Sequence, residues 1–236
     1  MIILHIETST NICSVALSKD ENCIFNISND EGMNHASMLS PFIQKALDFL
    51  ETTGETLDAV AVSSGPGSYT GLRIGVSTAK GLCYGLNIPL ISVSTLEIIM
   101  IEAKKQFPDI QDIKDSLWIP MMDARRMEVY DAIYNQKGEL IRDIAATIVD
   151  ENTYASLPDS ATICFFGNGA AKCKSVINLR NALFFDEIHP LASNMIIPAK
   201  GKFLQKDFED IAYFEPFYLK EFQTTIPKKG MTKGLI

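Results

Sequence analysis

Apolar positions come in short alternating runs near the start of the chain, and their spacing lengthens after residue 30. Ile2 to Ile6 is apolar throughout, Ile12 to Leu17 reads Ile-Cys-Ser-Val-Ala-Leu, and Cys23 to Ile27 keeps the same β-branched and aromatic bias. Runs of this length and composition predict three strands. Polar breaks at Ser9 to Asn11 and Ser18 to Glu21 join them as two tight hairpins. From about Met33 to Leu50 the period becomes helical: Leu39, Phe42, Ile43, Ala46, Leu47 and Leu50 share a face, and Gly54 sits just past the end.

A strand over Leu57 to Val62, the turn Ser64-Gly65-Pro66-Gly67, a helix from about Ser68 to Leu86 and a strand over Pro89 to Val93 come next. Ser94 or Thr95 is placed to cap the helix behind that strand. Strand, helix, strand with short joins is a parallel crossover unit. A three-strand meander feeding such units is half of an actin-like fold. Gln106 to Asp115 reads as a linker, after which the pattern restarts. Leu117 to Met122, Glu128 to Tyr134 and Ile141 to Ile148 read as strands, with a turn at Asn135 to Gly138. Ile163 to Phe166 is another, and Gly167-Asn168-Gly169 turns into a helix. The expected class is α/β: an actin-like ATPase (ASKHA, ribonuclease H-like) fold of two related subdomains. Residues 1–106 form the first and 107–236 the smaller second, with about 210–236 packing back on the first.

Composition narrows the function. Of 236 residues 47% are hydrophobic, enough for a substantial core. Apolar runs such as Asn87 to Val93 are far shorter than the ~20 residues of a membrane helix. Glu7 and polar Thr8 to Asn11 follow the apolar start at once, which does not suit a signal peptide, so a cytoplasmic protein is expected. Five cysteines without a C-x-x-C pair suggest small buried hydrophobes, not disulfides or a zinc site. The net charge is −8, and the basic cluster that stands out is the tail at Lys228, Lys229 and Lys233. Phosphate contacts dominate nucleic-acid affinity, so a tight grip on RNA by this chain alone is not expected.

Candidate chemistry sits in four places. Glu7, Thr8 and Ser9 occupy the first hairpin, where an acid and hydroxyls can hold a metal and a phosphate, or simply satisfy the turn. The stretch Ser63-Ser64-Gly65-Pro66-Gly67-Ser68-Tyr69-Thr70-Gly71-x-Arg73 joins a strand to a helix, a position that attracts anions, but it lacks the P-loop lysine. Ser68 or Thr70 can cap the helix. Gly71, Gly75, Gly81 and Gly85 fall inside that helix, and each costs roughly 1 kcal/mol against alanine, ~4 kcal/mol in all. Gly71 and Gly75, with Thr78 and Ala79, make a smooth face for another helix, either a neighbour in this chain or one from a second subunit. Asp123, Arg125 and Glu128 lie in a charged turn and read as a substrate clamp or as a surface ion-pair cluster. His5, His35 and His189 form no metal or nucleophile motif.

These stretches closely resemble the TsaB family, dimerisation subunits of the bacterial machinery for N6-threonylcarbamoyladenosine in tRNA. The resemblance is carried by I-E-T-S-T-N-I-C-S-V-A-L, by Leu57 to Val62 running into S-S-G-P-G-S-Y-T-G-L-R-I-G, and by Ile88 to Leu96. D-A-R-R-M-E-V-Y and Glu215-Pro216-Phe217-Tyr218-Leu219-Lys220 also match. The Gly65, Pro66, Gly67, Ser68, Thr70, Arg73 element is shared with the catalytic paralogue TsaD. That paralogue carries an H-x-x-x-H metal pair, and the register puts Thr95 and Ile99 there. Glu97 matches an acid between the two histidines and reads as a helix-surface carboxylate. The resemblance implies a scaffold without cofactor or metal of its own, with Glu7, Thr8, Ser9, Gly167 and Gly169 as vestiges of a nucleotide site. It implies a TsaD-type catalytic subunit and a TsaE-type ATPase as partners, a homodimer when alone, and tRNA contact only through the assembly. The partner surface would lie on the two helices of the first half, with Leu39, Phe42, Ile43, Ala46, Gly71, Gly75, Thr78 and Ala79. The competing readings are an actin-like small-molecule kinase or ATPase and, more remotely, a metallopeptidase.

Overall fold

The computed structural model describes residues 1–30, 32 and 34–219. The Lys228, Lys229 and Lys233 cluster, Met33 and the last residue of the 215–220 motif lie outside the described residues. Strands β1 (Ile2–Glu7), β2 (Cys13–Lys19) and β3 (Asn22–Asn29) form the expected meander. Helix α1 (His35–Thr53) ends at Gly54, whose left-handed φ of +69° suits a residue without a Cβ. Strand β4 (Ala59–Gly65), helix α2 (Tyr69–Leu86), strand β5 (Leu90–Ser94) and helix α3 (Thr95–Gln106) complete the first half. The second half holds β6 (Ser116–Asp123), β7 (Glu128–Asn135), β8 (Leu140–Ile148), β9 (Thr162–Phe166), the short α4 (Ala170–Cys173), β10 (Ala182–Phe185) and α5 (Ile196–Gln205).

The two sheets share one topology. The first runs β3-β2-β1-β4-β5, and the second, read from its other edge, runs β8-β7-β6-β9-β10. In each, an antiparallel meander places its first strand beside a parallel pair. This doubled order is the actin-like, ribonuclease H-like α/β arrangement.

Alternation along the strands divides the core. Leu4, Ile6, Val15 and Leu17 face α1 and α2, meeting Leu39, Phe42, Ile43, Ala46, Val76 and Ala79. Ile3, Ala59, Ala61, Ile91 and Val93 face the other way, onto Ile98 of α3 and onto Met195 and Ala199 of the C-terminal helical segment. Helix α3 therefore serves both halves, because Leu96, Ile99, Met100 and Ala103 turn toward Trp118, Met122 and Phe166 of the second sheet. Buried Glu102 ties the junction by accepting from Asn194 Nδ2 at 2.6 Å. The chain returns to the first sheet at Ala192, earlier than expected, and a strap follows α5: Glu209 N–H donates to Leu90 O at 2.9 Å and Phe217 N–H to Ser64 O at 2.7 Å.

Several local expectations change. The Gln106–Asp115 linker contains a 3-10 turn, Pro108–Asp112. Ser94 precedes α3, yet neither its hydroxyl nor that of Thr95 makes a capping bond. Cys23 is exposed, unlike the other four cysteines, because β3 is an edge strand with a wet outer face.

Candidate functional site

Strand β1 delivers Glu7 to the interior. The carboxyl is fully buried and one oxygen accepts from Ser9 N–H at 2.6 Å. Burial pushes it above the usual carboxylate range, against the pull of Ser9 and Ser63. Its second oxygen and the Ser9 and Ser63 hydroxyls have no well-aligned hydrogen bond among the described residues. His5, one turn of the pleat earlier, is pushed down to about 3 by burial, so it is neutral, with Nε2 2.8 Å from Ser18 Oγ. It serves the core.

The glycine loop is closed by the chain itself. Ser68 caps α2, its hydroxyl accepting from Gly71 N–H at 3.2 Å, while Ser68 N–H donates to Ser9 O at 2.7 Å. Thr8 Oγ1 donates to Gly71 O at 2.8 Å. A Cβ on Gly71 would collide with the Thr8 carbonyl oxygen, and one on Gly75 with the Thr8 hydroxyl. A Cβ on Gly67 would lie 2.6 Å from Ser9 O. Glycine is required at these positions because the β1–β2 turn rests directly on the first two turns of α2. His35 holds the same turn from α1, its Nε2 2.6 Å from Thr10 O. From the opposite side the strap covers the loop: Tyr218 packs on Tyr69 at 4.9 Å, and Phe217 O stands 3.0 Å from where a Gly65 Cβ would be. Lys80 on α2 binds the strap by donating to Phe214 O at 3.0 Å.

The smooth face of α2 is thus an intrachain one. Gly71, Gly75 and Ala79 are buried beneath Thr8 and β1, and Leu39, Phe42, Ile43 and Ala46 of α1 are core residues. The sequence placed these at a partner surface. They are spent on the monomer's own packing, and Thr78 is half-buried, its hydroxyl donating to Ile74 O at 2.8 Å. What α2 exposes is the opposite stripe, Thr70, Arg73, Ser77, Gly81, Tyr84 and Gly85. Among the described residues nothing lies within 4 Å of a Cβ built on Gly81 or Gly85, and Tyr84 is 83% exposed.

The second half repeats the device. Gly167, at φ +99°, packs on Met121 O, and Gly169 N–H donates to Met121 O at 3.0 Å. Asn168 Oδ1 accepts from Asp123 N–H at 2.9 Å. The charged turn between β6 and β7 is an ion-pair cluster whose cation is Lys172, 49 residues away in sequence. Lys172 Nζ binds the Asp123 carboxylate and donates to Arg126 O at 2.8 Å and Glu128 O at 2.6 Å. Arg125 contributes its N–H, 2.8 Å from Asp123 Oδ1, and its guanidinium stays outside the cluster.

Thr95 and Ile99 are fully buried at the start of α3, where Ile99 joins the core of the second sheet. Glu97 differs from the expected surface carboxylate: it is half-buried, and burial raises its carboxyl above the usual range while Lys202 pulls it down. No group of three or more His, Cys, Asp or Glu side chains is arranged to hold a metal ion among the described residues. A cleft of about 420 Å³ lies between the halves, lined by Ser64, Ser94, Ile144 and the strap residues Phe214 and Phe217.

The sequence model of the family described as TsaD, tRNA N6-adenosine threonylcarbamoyltransferase, matches residues 29–227. The chain belongs to that family. Within it the chain falls among the TsaB proteins. A tRNA threonylcarbamoyladenosine biosynthesis protein TsaB of Bacillus subtilis (strain 168) is 33% identical over 152 residues, 64% of this chain and 62% of the relative. The match therefore spans less than two thirds of that relative. The protein of the same name from Haemophilus influenzae is 29% identical over 93% of this chain and 94% of its own length. A solved structure of YeaZ from Pseudomonas aeruginosa is 27% identical, covers 92% of this chain and 99% of its own, and superposes with a TM-score of 0.73. The likeness thus extends through both sheets of this TsaB-family chain.

Proposed function

We propose that the chain is the non-catalytic, dimer-forming subunit of the assembly that makes N6-threonylcarbamoyladenosine in tRNA. It holds and supports a TsaD-type catalytic subunit, joins a TsaE-type ATPase, forms a homodimer when alone, and meets tRNA through the assembly, in the cytoplasm. The observation that carries this reading is the closed glycine loop. Thr8 and Ser9 pack over the first turns of α2, the strap covers the loop from its other side, and the N–H groups of Ser68 and Gly71 are taken up by Ser9 O and Ser68 Oγ. Thr95 and Ile99 are both core residues, and the Ile99 side chain has no atom that can ligate a metal.

The partner surface we propose is the outward stripe of α2, Ser77, Gly81, Tyr84 and Gly85, with the exposed side of α1. Two glycines in an exposed helix cost roughly 2 kcal/mol of propensity with no contact among the described residues to offset it. A closely approaching helix supplies that offset. The first unit, residues 1–106, carries this surface, and the second, 107–236, lends α5 and the strap to brace it.

Reconstitution from purified subunits tests the reading. Modification of tRNA should require this chain, and the isolated chain should bind ATP no more tightly than millimolar. Micromolar ATP binding, with turnover by the chain alone, would move the assignment to an actin-like kinase or ATPase.

A further inference from the structure

Two arginines in the β6–β7 turn have no side-chain partner among the described residues. Arg125 and Arg126 stand at φ +69° and +51°, in the left-handed region where an L side chain crowds its own backbone. Both are exposed, and neither guanidinium has a hydrogen-bond or ion-pair partner among the described residues. The aspartates at this end of the sheet are engaged elsewhere. Asp123 takes Lys172 and the Arg125 N–H, and Asp150 accepts from Asn152 N–H at 2.9 Å and from the Thr153 hydroxyl at 2.8 Å.

Backbone strain persists where its surroundings over-determine it. Lys172 does that from beneath, gripping Asp123 and the carbonyls of Arg126 and Glu128, and Asn168 holds the Asp123 N–H. The two arginines enter this set through backbone atoms, the Arg126 carbonyl on Lys172 and the Arg125 N–H on Asp123, and the other bonds fall on Asp123 and Glu128. Glycine at either position would keep every one and relieve the strain. The arginine side chains thus serve no contact among the described residues, and they stand exposed on a protein of net charge −8.

We propose that the Arg125–Arg126 turn is a phosphodiester contact, placing two guanidinium forks on adjacent backbone phosphates of the tRNA. The inference rests on the tRNA-modifying reading above. A guanidinium matches a phosphate bidentately, and phosphate contacts fix register without reading sequence. Within Asp123 to Met127 no large apolar side chain is exposed, and one exposed apolar side chain, Ile148, pairs with Glu128 at its edge, fewer than the apolar anchors at the core of a protein interface. The contact orients the substrate; the bulk of the affinity lies with the partners.

The test compares wild type, Arg125→Gly/Arg126→Gly and Arg125→Lys/Arg126→Lys in the reconstituted assembly. The readouts are assembly mass, melting temperature and tRNA affinity across a salt series. The glycine pair should assemble normally and melt no lower than wild type. Its tRNA affinity should fall about tenfold or more, and the slope of log affinity against log salt should flatten by roughly 2. The lysine pair should keep the slope and lose only part of the affinity. The same series on the chain alone with tRNA at low salt reads the turn without its partners, so a failure to assemble would sink the scaffold reading and still leave this contact decided. Unchanged affinity and slope in both settings would overturn the proposal. Loss of assembly in the glycine pair would also overturn it, assigning the turn to an acidic protein surface instead.

Discussion

The β1–β2 turn and the β6–β7 turn occupy equivalent places in the two sheets, and each rests on a glycine loop that leads from a parallel strand into a helix. In the first half the turn is buried and carries Thr8, Ser9 and a Glu7 carboxyl that burial pushes above the usual carboxylate range. In the second half the turn is exposed and charged, with its backbone held in the left-handed region by Lys172. Both halves press a glycine onto neighbouring backbone, so a Cβ would collide at Gly71, with the Thr8 carbonyl, and at Gly167, with that of Met121. What differs is what the turn offers beyond the chain. The first seals a helix N-terminus; the second displays two guanidinium groups. One fold element thus closes a site in one half and presents a surface in the other.

The shared part of that comparison carries the largest expected effect. Gly71→Ala and Gly167→Ala should each cost about 3 kcal/mol or more, because the neighbour in both cases is backbone that cannot give way. Urea unfolding of the two variants measures this, and a cost under about 1 kcal/mol at either site would break the equivalence.

The second half has a polar core device with no counterpart in the first. Asp131, fully buried, accepts from Arg142, from Thr147 Oγ1 at 2.6 Å and from Tyr154 OH at 2.7 Å. Asp131→Ala strands all three donors, and its expected cost in the same assay is about 3 kcal/mol, discounted for the partly exposed Arg142.

The smallest effect concerns Glu7. Its folded carboxyl titrates above its unfolded value near 4.5, so the stability it contributes is complete below that value and is lost as pH rises through the folded one. Glu7→Gln should melt with wild type at low pH and above it at alkaline pH, the gap opening as pH rises. A gap that closes with rising pH would mean that the ionised carboxylate is the form the fold stabilises.

The sequence made the skeleton legible because strand alternation and helical spacing depend on residues close together in the chain. It left α5 unread, since Pro198 and Gly201 look like breakers although Pro198 sits in the first turn, where no N–H is needed. The glycines of α2 announced a smooth face, and period alone could not say what covers it. Thr8 does, from 63 residues away. The same limit hid Lys172 from Asp123 and the strap from the glycine loop. Residues read as a partner surface, among them Leu39, Phe42 and Ala79, lie in the core, because burial is a property of the fold and not of the motif.

The most direct measurement of the scaffold account is size-exclusion chromatography with light scattering of this chain mixed with its TsaD-type partner, comparing wild type with Gly81→Arg. Gly81 points into open space, so the substitution should raise helix stability by about 1 kcal/mol in the isolated chain. The account predicts a one-to-one complex for wild type and its loss in this better-folded variant. A complex that survives Gly81→Arg unchanged would contradict the α2 surface, and no complex for wild type would contradict the scaffold itself.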